Sequence, residues 1–219
     1  VLPWLLAELA HLPRQNITLL NGLGTHRPNT AAELEEMLGP SIVRNYAILQ
    51  HDAWDEANLV ALGATRYGHR MVVNRTYSEA TFKILTGFIE PHLFAGFPGG
   101  PKMIAPGLAA IETVLHLHGA PLIAHPTAIC GTTHRNPMHD ANRATSSIVK
   151  PDFSLDVTLN KDHEITNVFA GDLFTAHKLG CAFVKDTAMQ PVPQPYEVVV
   201  TTNSGFPLDM NLYQAVKGM

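Results

Sequence analysis

Cysteine and charged residues are scarce in this chain of 219 residues, and long apolar runs are missing. The two cysteines, Cys130 and Cys181, form no Cys-x-x-Cys pair, which excludes a disulfide-rich framework and fits a reducing compartment. Charged residues make up 16% of the chain and the net charge is −4, so a basic surface for nucleic acid is not expected. No apolar run approaches the length of a transmembrane helix. We therefore expect a cytoplasmic globular protein that binds neither nucleic acid nor membranes.

Histidine, by contrast, is abundant, with twelve residues in the chain. Imidazole titrates near neutral pH and binds transition metals, so this number favours a search for proton-transfer and metal-binding roles. An apolar-periodic segment that begins near Tyr213 runs to Met219, the last residue. We expect the chain to be a piece of a longer protein.

The 87–102 segment is rich in phenylalanine, glycine and proline, and it carries His92 and Lys102. Its Pro-Gly-Gly-Pro-Lys end lacks the Gly-Lys-Ser/Thr signature of a P-loop, which disfavours nucleoside triphosphate binding. We expect its glycines to let the backbone approach a flat ligand. Lys102 is a candidate for covalent attachment, with a solvated side chain as the alternative. His118, sixteen residues later, is a candidate metal ligand, although one imidazole cannot specify a metal.

The order of predicted elements is typical of an α/β fold: a mostly parallel sheet with flanking helices and a β-hairpin insertion. Thr30 and Glu33 form a capping-box pattern, and Asp172 is a helix-capping residue. Helices are predicted over residues 5–12, 30–38, 106–118 and 172–185. Strands are predicted over 16–20, 71–74, 82–88 and 197–202, with the hairpin over 153–170.

Two histidines follow predicted strands, where parallel sheets concentrate their ligands. His26 comes after the first strand and beside Arg27, which is suited to binding a carboxylate. His92 comes after the 82–88 strand. If both strands belong to one sheet, the two imidazoles open on the same edge, and a pair of this kind can exchange protons on opposite faces of a substrate, as a racemase or epimerase requires. A loop histidine bonded to the backbone is the alternative for His26.

Other candidates carry less weight. His134 and His139 are expected in a loop, with a metal role less favoured than a solvent or substrate-loop role. Gln214 and Lys217 are three residues apart and share a helix face, which suits carboxylate binding or an ordinary surface.

The motifs at residues 24–28, 87–102, 170–180 and 207–217, together with His118, resemble the nickel-dependent lactate racemase family of 2-hydroxyacid racemases and epimerases. The resemblance extends over nearly the whole chain. It implies that residues 1–190 are the cofactor-binding, catalytic N-terminal domain of a two-domain enzyme, without its first strand segment. Residues 191–219 would be a linker and the start of a second domain.

The resemblance also implies the cofactor and its ligands. The cofactor would be a nickel pincer nucleotide, the nickel(II) complex of pyridinium-3,5-bisthiocarboxylate mononucleotide. By motif, Lys102 matches the lysine joined to it through a thioamide, and His118 matches the axial nickel ligand. His26 and His92 match the paired acid/base histidines. The substrate-binding residues would be Tyr213, Gln214 and Lys217, with Arg27 added from its position beside His26.

The implied reaction removes a hydride from the α-carbon of a small 2-hydroxy acid while a histidine takes the hydroxyl proton, and returns the hydride on either face. Cofactor-synthesis proteins would be partners. Pro98 and Pro101 differ from lactate racemase itself, which leaves the choice of 2-hydroxy acid open. Without the missing segments the chain alone is expected to be inactive. The alternatives are a non-catalytic folded fragment and a histidine-metal hydrolase, which would need three convergent ligands.

Overall fold

The computed structural model describes residues 1–66 and 68–200. Helices in this part of the chain are α1 (Leu2–Glu8), α2 (Ala31–Leu38), α3 (Pro40–Asn45), α4 (Arg75–Glu79), α5 (Pro101–Ile104), α6 (Ile111–Leu117), α7 (Ala120–Ile123), α8 (Pro137–Ser146) and α9 (Leu173–Ala188). Strands are β1 (Thr18–Asn21), β2 (Ala47–Gln50), β3 (Leu59–Ala64), β4 (Arg70–Asn74), β5 (Ile84–Phe88), β6 (Phe153–Leu159) and β7 (Ile165–Gly171). The α/β class is confirmed.

The described strands form three sheets. β1 and β2 pair in parallel, with Leu19 opposite Ile48. β3 and β4 pair antiparallel. In the third sheet, β6 lies between β5, which it pairs in parallel, and β7, which it pairs antiparallel. The predicted hairpin is therefore present as β6 and β7, and through β6 it forms the centre of the sheet that carries the 87–102 segment.

Side-chain caps explain where two of the helices begin. The Thr30 hydroxyl accepts the Glu33 N–H and the Glu33 carboxylate accepts the Thr30 N–H, so the predicted capping box opens α2. The Asp172 carboxylate accepts the N–H groups of Phe174 and Thr175 and opens α9, as predicted. Proline at position 40 ends α2 and also starts α3, because its missing N–H costs nothing in a first turn.

Three sequence predictions of element boundaries need correction. The first helix covers Leu2–Glu8 rather than residues 5–12, and α6 begins at Ile111 rather than near residue 106. Residues 197–200 are not a buried strand: the side chains of Val198 and Val200 are 80% and 89% exposed. A β-branched run becomes a strand only where a neighbour satisfies its backbone groups, and no described strand pairs with it. Residues 201 and 202 lie outside the described residues.

The main core packs the sheets against α5 and α9. Its buried members come from β4, α4, β5, α5, α9 and the adjoining loops: Met71, Val73, Tyr77, Leu85, Ile104, Leu108, Val149 and Leu173. Two smaller clusters contain apolar residues of the 87–102 segment. Ile89 and Phe97 pack with Cys181 and Val184 of α9. Phe94 packs with Met138 of α8.

The longest described helix, α9, has 16 residues. Among the helices of residues 1–66 and 68–200, none combines the length and the apolar character that crossing a membrane requires.

Candidate functional site

The 87–102 segment contains the end of β5, a loop over residues 89–100 and the start of α5. The Ile89 N–H donates to the Val157 carbonyl at 2.8 Å, which extends the pairing with β6 beyond β5. The His92 N–H donates to the Gly96 carbonyl at 2.8 Å, which closes a tight turn. Phe94 and Phe97 are 6% and 3% exposed. Burying a phenyl ring stabilises a fold by about 1.5–3 kcal/mol, so these two side chains anchor the loop to α8 and α9.

Two glycines of the loop are required by the surrounding protein. Gly99 and Gly100 have φ angles of 76° and 45°, which L side chains rarely adopt. A Cβ on Gly99 would lie 2.8 Å from the Phe88 carbonyl oxygen, and one on Gly100 would lie 2.6 Å from the His177 ring. The sequence analysis assigned the glycines to close approach by a ligand. At these two positions they allow close approach by protein instead.

His92 and His118 both lie near the ring of Phe94. The His92 and Phe94 ring centroids are 5.1 Å apart, and those of Phe94 and His118 are 6.0 Å apart, both in edge-to-face geometry. His92 Nδ1 accepts the Ala95 N–H at 3.2 Å. The structure therefore brings two of the predicted site residues together around one buried phenyl ring.

His118 is oriented by the helix that it ends. It is the C-cap of α6, and its Nδ1 lies 3.0 Å from the Val114 carbonyl oxygen. A carbonyl can only accept, so Nδ1 carries the proton and the lone pair of the neutral ring is on Nε2. Backbone orientation of this kind is typical of metal-binding histidines. His116 turns elsewhere and stacks on His69, at 3.3 Å between centroids.

Lys102 is the second residue of α5 and is partly buried. Its N–H donates to the Gly99 carbonyl at 3.1 Å. Partial burial raises the pKa of Glu90, and the Lys102 ammonium lowers it by a smaller amount. The amine and this carboxylate therefore lie within electrostatic reach of each other.

His26 lies in the loop after β1, a strand of a different sheet. β1 and β5 belong to separate sheets, so the premise that both histidines follow strands of one sheet is wrong. Among the described strands, β1 pairs only with β2 and therefore shares no sheet with β5. The loop after β1 nevertheless contacts the chain that follows α5, because the Gly24 N–H donates to the Gly107 carbonyl at 2.8 Å. His26 itself is exposed in this loop.

Arg27 is engaged by a neighbouring carboxylate. Its guanidinium donates to both carboxylate oxygens of Glu33, at 2.6 and 2.8 Å. The hydrogen bonds from Arg27 and from Thr30 lower the pKa of Glu33 to about 2. Any substrate carboxylate at Arg27 would compete with Glu33, whose side chain is also part of the α2 cap.

Sequence reasoning missed two buried polar residues beneath the loop, Asp156 and His177, which are 0% and 2% exposed. The Asp156 carboxylate accepts the Gly100 N–H at 3.2 Å, and His177 Nε2 donates to the Pro98 carbonyl at 2.9 Å. Asp156 lies in β6, where polar and apolar residues alternate, and such a pattern predicts that the polar side chains face solvent. In the structure, β6 is the central strand of its sheet and the Asp156 side chain is buried.

Of the remaining candidates, His139 needs correction. It lies in the first turn of α8, which Asn136 caps, and not in a loop. Its ring is stacked 6.0 Å from that of His177. Tyr213, Gln214 and Lys217 lie outside the described residues. Within residues 1–66 and 68–200, no group of three or more His, Cys, Asp or Glu side chains is placed to hold a metal ion.

Two models of known protein families match this chain. The family model described as the lactate racemase N-terminal domain matches residues 1–131, more than half of the chain. This chain belongs to the lactate racemase family. The model of the lactate racemase C-terminal domain matches residues 192–219. The family resemblance read from the motifs is confirmed.

Two lactate racemases are similar in sequence along the whole chain. The enzyme of Lactiplantibacillus plantarum is 38% identical over 220 residues, and that of Thermoanaerobacterium thermosaccharolyticum is 36% identical over 219 residues. The match covers 100% of this chain but 52% and 51% of those proteins. The chain thus spans about half the length of these lactate racemases.

Solved structures extend the likeness to the fold. The lactate racemase apoprotein of T. thermosaccharolyticum has a TM-score of 0.91 and 35% identity, over 98% of this chain and 51% of that one. A Thermotoga maritima protein has a TM-score of 0.66 and 23% identity over 77% of this chain, which supports the fold alone.

Proposed function

We propose that this chain is the cofactor-binding part of an isomerase that racemises or epimerises a small 2-hydroxy acid, with a nickel pincer nucleotide as cofactor. The observation that carries the proposal is the 87–102 segment, in a member of the lactate racemase family. This segment presents His92 and Lys102 and, through Phe94, contacts His118. These three side chains supply a nucleophilic amine (Lys102), a proton-transfer group (His92) and an imidazole ligand (His118).

The side chains fit the proposed cofactor. His118 has its Nε2 lone pair set by the Nδ1 bond to the Val114 carbonyl, which suits a single imidazole ligand for nickel. Lys102 is partly buried and held by a short helix, which suits a covalent tether. Lys102 would hold the nucleotide through a thioamide and His118 would hold the nickel. When bound, the group would accept a hydride from the substrate α-carbon and return it.

His92 and His26 would supply proton transfer at the substrate hydroxyl. Because His92 Nδ1 accepts the Ala95 N–H, the neutral ring carries its hydrogen on Nε2, from which it could donate a hydrogen bond to the substrate oxygen. To take a proton at Nε2, the ring would have to release the Ala95 N–H. His26, exposed on the loop that contacts Gly107, would take the hydroxyl proton as the hydride leaves the α-carbon, and His92, in its imidazolium form, would protonate the same oxygen when the hydride returns. The roles would exchange for the other enantiomer.

Substrate binding would use residues at the carboxyl end of the chain. Tyr213, Gln214 and Lys217 would hold the substrate carboxylate and hydroxyl region, and Arg27 would join them only by leaving Glu33. We further propose the division into residues 1–190 and 191–219, a cytoplasmic location, and maturation by cofactor-synthesis proteins. The hydrolase alternative gains no support, because the described residues offer no cluster of three metal ligands.

Mass spectrometry with metal analysis tests this function. We expect the chain, produced together with the cofactor-synthesis enzymes, to gain a mass increment on Lys102 and to hold nickel. Lys102→Arg should abolish the increment, because a guanidinium does not form the thioamide. The matched control Lys161→Arg changes an exposed lysine of the β6–β7 turn and should keep it.

A wild-type chain with no increment under these conditions contradicts the proposal. A longer protein that includes both flanking segments should racemise at least one member of a panel of 2-hydroxy acids. Increment without turnover in that longer protein would favour the non-catalytic alternative, and zinc-dependent hydrolysis that survives Lys102→Ala would favour the hydrolase.

A further inference from the structure

Asp156 is a buried carboxylate whose hydrogen bonds point to the 87–102 segment. The side chain is fully buried in the centre of the β5-β6-β7 sheet. It accepts the Gly100 N–H at 3.2 Å and, over a longer 3.4 Å, the Ser154 hydroxyl. Burial raises the pKa of Asp156, which reflects the cost of placing a carboxylate here. Hydrogen bonds offset part of this cost.

His177 holds the same turn from the opposite side. Its Nε2–H donates to the Pro98 carbonyl at 2.9 Å, and its ring lies where a Cβ on Gly100 would be. The ring is itself fixed by its stacking with His139 and by Cys181 Sγ, 3.6 Å from Nε2. Residues 98–100 are therefore bonded on one side to β6 and on the other to α9.

The direction of Lys102 depends on this turn. Gly100 is the N-cap of α5, and Lys102 follows two residues later. α5 has four residues, too few to hold a helical geometry without outside support. The Ser146 hydroxyl lies 3.0 Å from the Pro101 carbonyl oxygen and 2.8 Å from the Asn142 carbonyl oxygen, so its single proton is shared between α5 and α8.

We propose that Asp156, together with His177, is a positioning residue that fixes the turn at residues 98–100 and thereby orients Lys102 for covalent attachment of the cofactor. The consequence for Lys102 rests on the proposed function. The fixing of the turn is independent of that function. In this role Asp156 would act through the backbone of the turn, without touching cofactor or substrate. Nothing in the family resemblance assigned a role to it.

The first test uses the chain without cofactor. In Asp156→Ala, we expect the Gly100 N–H to exchange with solvent about tenfold faster, which is the change for one ordinary hydrogen bond. Asp156→Asn keeps an acceptor oxygen and should restore most of the protection. Thr158→Val is the matched control: this buried hydroxyl lies two residues along the same strand and bonds Thr166, not the loop. Equal exchange at Gly100 in all three variants and wild type overturns the proposal.

The second test follows attachment. With the cofactor-synthesis enzymes present, the mass increment on Lys102 should form on the order of 10- to 100-fold more slowly in Asp156→Ala, because small misplacements of a reacting group cost this much. Asp156→Asn and Thr158→Val should form it near the wild-type rate. Wild-type-like attachment in a folded Asp156→Ala overturns the positioning role. If even the wild type forms no increment, the proposed function fails, and the exchange experiment alone decides whether Asp156 fixes the turn.

Discussion

Gly100 lies where the backbone of the 87–102 segment passes between β6 and α9, with φ of 45°. Gly100→Ala adds a methyl group 2.6 Å from the His177 ring in a backbone conformation that L residues avoid. We expect the free energy of unfolding to fall by about 2–4 kcal/mol, from backbone strain and overpacking together. Urea denaturation measures it.

Gly39→Ala is the control for Gly100→Ala. Gly39 also has a positive φ, 86°, but a Cβ there would meet nothing within 4 Å. This variant should lose about 1–2 kcal/mol, from strain alone. Equal losses in the two variants would show that the His177 ring does not constrain residue 100.

Distinctive motifs made individual residues candidates for the site. His92 and His118 are two such candidates, and in the structure the rings of both lie near Phe94. Asp156 and His177 were not predictable. Their role comes from backbone contacts of residues 98–100, about 56 and 79 positions away in sequence, and no local pattern carries such contacts.

At the scale of elements, Asp172 supports α9, the helix that carries His177. Its carboxylate caps two N–H groups and also pairs with Lys150. Asp172→Ala should cost about 1 kcal/mol of unfolding free energy, the usual value of an N-cap. Asp172→Asn keeps the cap and loses only the ion pair, whose side chains are both 43% exposed, so it should cost less than about 0.5 kcal/mol. Thermal or urea unfolding separates the two. A larger loss in Asp172→Asn than in Asp172→Ala would contradict this ranking.

Capped helices were the elements that the sequence predicted best. Thr30 and Asp172 open α2 and α9 as expected, because a cap is a local interaction. α8 was missed although it has a readable start, Asn136 at the N-cap followed by proline. β2 was missed because four residues are too few to reveal an alternating pattern. The strand predicted at residues 197–200 was wrong for the opposite reason. Their composition strongly favours a strand, but composition cannot replace a partner strand.

At the scale of the molecule, residues 98–100 connect the proposed cofactor lysine to the core. We propose Lys102 and His118 as the groups that hold the cofactor. The loop that leads to Lys102 is bonded to the mixed sheet through Asp156 and to α9 through His177. The stability of the whole chain and the geometry of the site therefore share the same buried contacts.

Because the core and the site share the buried His177, we expect acid to lower the free energy of unfolding of the chain. Burial lowers the pKa of His177 to about 4, and burial with the neighbouring His177 and Arg143 lowers the pKa of His139 to about 4. The unfolded chain, with histidine pKa values near 6.5, binds more protons below that pH. The stability contributed by the neutral rings is therefore complete above about pH 6.5 and is lost as pH falls toward 4.

From pH 7 to pH 5, His177 alone should remove about 2 kcal/mol of unfolding free energy, while carboxylates of ordinary pKa stay ionised. His177→Gln should reduce the loss between these pH values by that amount, and the exposed His134→Gln is its control. Urea unfolding of the wild type and the two variants at pH 7, 6 and 5 measures how the free energy of unfolding of each protein depends on pH. Identical pH dependence in wild type and His177→Gln would mean that folding does not lower the pKa of His177, so that the ring is protonated in the folded chain at pH 5. In that case its Nδ1 would also carry a proton beside Cys181, and the contacts that hold residue 100 would be those of an imidazolium ring.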